Sequence, residues 1–437
     1  MACLRITGGV PLGGSVAASG SKNAALPIMA ACILAAEPVT LGRVPDLVDV
    51  NTLALLLGHL GLAVKRQTDD TLRIDTVDPT PIKADYRLVR RMRASFCVLG
   101  PLLARRGRAV VSLPGGCNIG TRPVDLHLRG LAALGAELRI EHGYVIASAR
   151  RLRGAQIDLG GPHGPTVTGT ANVMSAAVLA SGQTVITSAA REPELVDLGH
   201  FLNRLGARIS GLGSDTIEVT GVDQLGGGRH EVIADRIETA TLLLAAAITG
   251  GSVRVNDTVP AHLAAVLDVL GEAGCRVDVG RGDISLRAPE RPRPFDIIAR
   301  PYPGIPTDLQ AQFVALATVG AGRSRVRDAV FPERFMHVAE LCRLGARIER
   351  QESTAVIRGV ERLSGAEVTA CDLRASAALV LAALRAEGDS IVQRAQHLDR
   401  GYERLDQKLA RCGAMVERDR GTRPAAAVRR ERPRVPR

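Results

Sequence analysis

The sequence predicts a mixed α/β protein built from one unit used six times. Three observations predict it. A helix end of the form L-x-x-L/A-G-x-x-V/I recurs as LGHLGLAV, LAALGAEL, LNRLGARI, LGEAGCRV, LCRLGARI and LARCGAMV, which sets Gly61, Gly135, Gly206, Gly274, Gly345 and Gly413 about seventy residues apart. Upstream of each lies a second helical stretch, rich in Ala and Ser. Short β-branched stretches separate the two helices and follow the glycine.

Taken in order, a unit opens with its Ala-rich helix: KNAALPIMAACILAAEP, RRMRASFCVLGPLLARRG, VTGTANVMSAAVLASG, DRIETATLLLAAAITGG, PTDLQAQFVALATVGAG and DLRASAALVLAALRAEG. These are apolar nearly all round, so they are expected to be buried. A short strand follows, such as TVITSA or SVRVND, and then a loop. The second helix carries an i, i+3, i+4 apolar stripe, as in HVAELCRLG, and its glycine stands where a C-cap needs positive φ. A strand pair such as ARISGLGSDTIEVTG closes the unit.

The sixth unit ends after AMVERD, one strand short, whereas the N-terminal strand LRITGGVPLGGSVAASG belongs to no preceding unit. The simplest closure lets that strand complete unit six. Residues 1–21 with 231–418 then form one domain and residues 22–230 another, with two crossings near Lys22 and Arg229 acting as a hinge. The cleft between the halves is the expected ligand site.

Bulk properties exclude more than they identify. Aromatic residues are 2% of the chain and Trp is absent, leaving little to stack on bases. The net charge is +11, but Arg418 to Arg437 holds eight Arg against two acids, so six of those charges sit in a segment that reads as a disordered basic tail. Eight cysteines occur singly and nine histidines lack HxxxH or HExxH spacing, which fits reduced thiols and no metal site. The longest apolar run, Ala375 to Leu384, falls short of the roughly 18 residues a membrane helix needs. No secretory h-region is visible, so the expected location is the cytoplasm.

Charged residues that stand out gather at two equivalent points of the repeat. One is the start of the Ala-rich helix: Lys22 and Asn23, Arg93, Thr168 to Thr170, Asp308, Arg374. The other is the loop before the second helix: Cys117 and Arg122, Arg191 and Glu192, Arg334, Arg400. Each Arg taken alone reads as a surface ion pair. Cations at helix N-termini oppose the helix dipole, so their recurrence points to a small, multiply charged anion held between them.

At these positions PGGCNIGTRPVDLH, SGSKNAALP, MRAS, AAREPELVDL, DRIETAT, PYPGIPTDLQAQ, RFMHVAEL, DLRASAALVLA and HLDRGYE resemble the UDP-N-acetylglucosamine 1-carboxyvinyltransferases of the enolpyruvyl transferase family, in register from about residue 4 to 418. The resemblance implies a two-domain inside-out α/β barrel of six βαβαββ repeats, three per domain. It implies transfer of enolpyruvyl from phosphoenolpyruvate to the sugar 3′-hydroxyl, without a cofactor, without nucleic acid or membrane partners, and with sensitivity to fosfomycin. Carried over by position, Cys117 is the general acid that protonates the methylene carbon and can bond to phosphoenolpyruvate, and Asp308 is the base. Lys22, Arg122 and Arg400 hold the phosphate, Arg334 and Arg374 the carboxylate, and Asn23 the reacting region. Arg93, the run Arg122, Pro123, Val124, Asp125 and Leu126, together with Asp308 and Val330, contact the sugar nucleotide, and Thr166, Val167, Thr168 and Gly169 face its diphosphate.

The physical chemistry of these residue types agrees. A substrate with about three negative charges calls for preorganised cations. Cations lower a thiol pKa, and glycines let the Cys117 loop move. The chain departs from the family pattern at Val48, Cys97, the TVTGT segment and FPERF. Two other readings stay open: a paralogue acting on another sugar nucleotide, and an RNA-binding or RNA-end-processing repeat barrel.

Overall fold

The computed structural model describes residues 2–68, 70–115 and 124–419. Among the described residues, six four-stranded sheets share one plan. A short entering strand runs parallel to a central strand, whose other edge is covered by an antiparallel pair. In the fifth unit the order is Asp296–Ala299, Arg323–Asp328, Thr354–Arg358, Arg347–Gln351. Periodicity misses the entering strand. In units two, three and six it is only Lys83–Ala84, Gln156–Asp158 and Glu367–Thr369, too short to leave an alternating pattern.

The N-terminal stretch expected as one strand is two, in different sheets. Cys3–Thr7 lies antiparallel between Asp389–Gln393 and Met415–Asp419 in the last unit's sheet. Gly13–Ala17 runs parallel to Ser252–Asn256 in the fourth. Conversely, Gly228–Glu231 supplies the entering strand beside Val39–Gly42 of the first unit. Residues 19–21 run beside residues 233–235. Ser21 N–H donates to Ile233 O at 2.7 Å and Asp235 N–H to Ser19 O at 2.9 Å.

All six repeat glycines have φ between 82° and 107°, the left-handed cap the pattern predicts. Buried apolar side chains form two clusters, one from residues 24–232 and one from 4–18 with 237–414. The Ala-rich helices sit at their centres. Every residue of Arg236–Thr249 is buried, and that helix packs on Gln310–Ala317 and Leu373–Arg385. In the other cluster Val167–Ala177 packs on Leu99–Arg106 and Lys22–Ala31. Small side chains let these helices approach closely, while sheet strands such as Arg323–Asp328 alternate exposed and buried positions and form the outer layer.

Two compositional expectations change. Arg418 and Asp419 belong to the strand Met415–Asp419 rather than to a tail, and Arg418 pairs with Asp399 at 2.6 Å. The rest of the expected tail, 420–437, lies outside the described residues. The seven described cysteines are free thiols. No described helix is long and apolar enough to cross a membrane.

Candidate active site

Two carboxylates organise the cations that the repeat brings together. Helix Lys22–Ala31 starts at Ser21, whose hydroxyl accepts from Ala24 N–H, and Asp235 in the neighbouring segment accepts from Lys22 N–H at 3.2 Å. So anchored, Lys22 Nζ reaches Asp49 Oδ2 at 2.9 Å, and Arg400 Nε reaches Asp49 Oδ1 at 2.9 Å. Asp49 is 2% exposed. Burial pushes its pKa up, but the charges of Lys22 and Arg400 outweigh burial and hold it below the usual carboxylate range.

Asp308, in the 3-10 turn Thr307–Leu309, is the second centre. Arg334 Nη1 lies 2.9 Å from its Oδ1, and Arg374 Nη2 lies 2.8 Å from its Oδ2. Asn23 Nδ2 donates to the same Oδ2 at 3.5 Å. Against burial, Arg374 and Arg334 hold the Asp308 pKa well below the ordinary value. Asp372 caps helix Leu373–Arg385 by accepting from Arg374 N–H and Ala375 N–H. The Arg374 guanidinium lies 5.2 Å over the Tyr402 ring, and Tyr402 is itself held by Thr241 and Gln312. Arg374 Nη1 is buried with no hydrogen-bond partner among the described residues. Because Lys22 and Asn23 are consecutive, the two clusters adjoin.

A cavity of about 610 Å³ opens beside them. Asn23, Arg93, Asp125 and Leu126 line it from one cluster of the fold, with Thr166, Val167 and Thr168 at a helix start; Asp308 and Val330 line it from the other. Lys22, Arg334, Arg374 and Arg400 are not in its wall, and neither are two of the described residues predicted to contact the sugar nucleotide. Val124 packs partly buried against the core, and Gly169 is buried with its N–H bonded to Thr166 Oγ1 at 3.2 Å, the cap of its own helix. Cys117, Arg122 and Pro123 lie outside the described residues. Arg191 is exposed and donates to Gly213 O at 3.2 Å, apart from the other cations. Cys97 lines the cavity with its thiol pushed up to about 12 by burial.

The recurring cations call for an anion to offset them. Within the chain, Asp49 pairs with Lys22 and Arg400, and Asp308 with Arg334 and Arg374. Asp49 went unread although VPDLVD places an acid in the first turn of a second helix, where it complements the dipole. Glu192, one of the charges that stand out in the sequence, lines the cavity beside Glu194, Arg236 and Tyr302, which do not stand out there; Glu194 and Arg236 pair at 2.9 Å.

Comparison with known proteins adds to this geometry. The family described as EPSP synthase (3-phosphoshikimate 1-carboxyvinyltransferase) matches residues 6–409. The UDP-N-acetylglucosamine 1-carboxyvinyltransferase of Idiomarina loihiensis is 52% identical over 415 residues, 95% of this chain and 98% of that one. The protein of the same name from Coxiella burnetii (strain Dugway 5J108-111) is 52% identical over 418 residues, 95% of each chain. Among solved structures, the enolpyruvyl transferase NikO from Streptomyces tendae has a TM-score of 0.86 at 26% identity, covering 95% of this chain and 98% of that one. EPSP synthase from Acinetobacter baumannii shares the fold, with a TM-score of 0.73 at 17% identity over 96% of this chain and 100% of the other.

Proposed function

Because the chain belongs to the EPSP synthase (3-phosphoshikimate 1-carboxyvinyltransferase) family, we propose that it transfers the enolpyruvyl group of phosphoenolpyruvate to the 3′-hydroxyl of UDP-N-acetylglucosamine, releasing phosphate in the committing step of peptidoglycan precursor synthesis. The choice of acceptor rests on relatives named for that sugar nucleotide at 52% identity, against 26% for NikO. The same reading divides the chain into residues 1–21 with 231–418, and 22–230, as an inside-out α/β barrel of three βαβαββ units each. Two separate cores and six like sheets support that division. Both substrates are small cytoplasmic molecules, and the reaction needs neither nucleic acid nor membrane.

The observation that carries the reading is the position of Asp308. It is paired with Arg334 and Arg374 while Asn23 from the other core reaches the same carboxylate. Phosphoenolpyruvate brings a carboxylate that competes for Arg334 and Arg374 and can also take the open Arg374 Nη1. Once the two guanidinium groups turn to the substrate, the proton affinity of Asp308 rises, and it becomes a base beside the sugar hydroxyl. Lys22 and Arg400 exchange Asp49 for the phosphate, which Arg122 also holds.

In the addition, the 3′-oxygen bonds to C2 of phosphoenolpyruvate, its proton goes to Asp308, and Cys117 delivers a proton to C3. The resulting tetrahedral intermediate keeps its negative charges under the preorganised cations. In the elimination, C3 returns a proton to the Cys117 thiolate, the C2–C3 double bond re-forms as the C2 to phosphate oxygen bond breaks, and phosphate departs while Asp308 releases its proton to water. The test is phosphate release on mixing the protein with phosphoenolpyruvate and UDP-N-acetylglucosamine, abolished by fosfomycin. No release with this acceptor would overturn the reading.

A further inference from the structure

Behind the cavity wall, a chain of buried polar groups leads from a backbone amide to Thr168. Gly100 N–H donates to Asn172 Oδ1 at 2.7 Å, and Asn172 Nδ2 donates to Phe96 O at 2.9 Å. A backbone N–H only donates and a carbonyl only accepts, so these two contacts fix which way the Asn172 amide points. Its second Nδ2 proton faces His127 Nδ1 at 2.9 Å. That nitrogen must therefore accept, which leaves the ring proton on Nε2. His127 Nε2 lies 3.1 Å from Thr168 Oγ1, so it donates to the threonine oxygen. With its oxygen used as an acceptor by the histidine, the Thr168 hydroxyl has its own proton to give.

From these polarities we infer that His127 is a positioning residue, which turns the Thr168 hydroxyl into a hydrogen-bond donor aimed at an anionic phosphoryl oxygen in the cavity. The inference rests on the proposed function, since the phosphoryl group is the diphosphate of the sugar nucleotide. Thr168 lines the cavity in the first turn of helix Val167–Ala177, where free N–H groups and the dipole also favour an anion. Among the described residues, Thr168 Oγ1 has no other hydrogen bond than the one to His127. The ring is held in place. His127 is 2% exposed, and Phe96 meets it edge-on with centroids 5.2 Å apart. Burial, helped by the charge of Arg93, pushes its pKa down to about 3, so it stays neutral and keeps one tautomer across the working pH range. A charged imidazolium would have to donate from both nitrogens and would collide with the Asn172 amide.

Two measurements test this. In protein labelled with ¹⁵N-histidine, the His127 signal, assigned by its loss in His127→Gln, should show an unprotonated Nδ1 and a protonated Nε2 from pH 5 to 8, without titrating. The opposite tautomer, or an imidazolium in that range, overturns the relay. In steady-state kinetics His127→Leu, which removes the donor, should raise KM for UDP-N-acetylglucosamine about tenfold, the scale of one lost hydrogen bond to a charged group, with kcat and KM for phosphoenolpyruvate within about twofold. His127→Gln offers an acceptor to Asn172 and a donor to Thr168, and should recover most of that loss. In a Thr168→Ala background the His127→Leu effect should vanish, because the hydroxyl it orients is gone. Equal rises in both KM values, or full additivity with Thr168→Ala in soluble protein, overturn the assignment. Failure of the wild-type protein to release phosphate from the two substrates sinks the proposed function and the identity of the anion with it, whereas the tautomer reports on the relay alone.

Discussion

Arg400 donates through Nε to Asp49 Oδ1 at 2.9 Å, joining the last unit's loop to the first unit's second helix across 351 positions of chain. Lys22 completes the triad at 2.9 Å. Asp49→Asn leaves two cations facing each other without their counter-ion. Breaking a buried pair by removing one partner costs about 3–5 kcal/mol, and the 29% exposure of the Arg400 side chain brings the expected loss nearer about 2 kcal/mol. Urea denaturation should show this loss, and saturating inorganic phosphate should restore part of it. An unchanged midpoint would remove Asp49 from the role of counter-ion.

Asp308 gives a pH signature. Its folded pKa is depressed, because the charges of Arg374 and Arg334 override the upward push of burial. A depressed carboxyl contributes stability that is complete above the unfolded value, about 3.9, and is lost as pH falls through the folded value. The wild type should therefore lose stability below about pH 4, while Asp308→Asn should show a flatter acid limb and no added pH dependence between about 5 and 8. Denaturation midpoints from pH 2.5 to 7 compare the two. Identical acid limbs would contradict the pairing.

Cys117→Ser should lose most phosphate-release activity and no longer be alkylated by fosfomycin. Peptide mass spectrometry locates the adduct. Cys342 is exposed and serves as an internal comparison for mere accessibility, whereas Cys32 and Cys97 are buried with raised pKa values and should stay unmodified. Adducts on Cys342, or persistent alkylation of the Ser variant, would transfer the reactivity elsewhere.

The repeat glycines allow an internal comparison of strain. At Gly206, φ is 107° and an added Cβ meets nothing within 4 Å, so Gly206→Ala should cost only the left-handed backbone penalty, about 1–2 kcal/mol. At Gly61 the same atom would stand 2.0 Å from Asp78 O, a backbone atom that cannot swing away, so Gly61→Ala should lose about 1 kcal/mol or more beyond that. Equal losses in urea would mean that the loop at Asp78 yields.

Much of this architecture is legible before any coordinates. The glycine caps and fully apolar helices announce themselves, because a positive φ and burial on all sides each restrict residue choice strongly. Entering strands such as Lys83–Ala84 do not, since two residues carry no period. Lys22, Arg334, Arg374 and Arg400 stand out as cations at matching repeat positions, and the fold joins them through carboxylates. Asp49 escapes notice because an acid early in a helix looks like ordinary dipole compensation. The His127 relay is invisible in sequence. Its partners come from two other helices, Gly100 from Leu99–Arg106 and both Thr168 and Asn172 from Val167–Ala177, and only the direction of each hydrogen bond gives them meaning.

The placement of the first strand also constrains how the chain can fold as it is made. Cys3–Thr7 leaves the ribosome long before its neighbours in the sheet, Asp389–Gln393 and Met415–Asp419. Meanwhile the 24–232 core takes its closing strand from its own end, at Gly228–Glu231, and can fold while synthesis continues. The first strand therefore waits with both edges unpaired through most of translation, and its five residues, with charged Arg5 among them, form a short edge that resists pairing with other nascent chains.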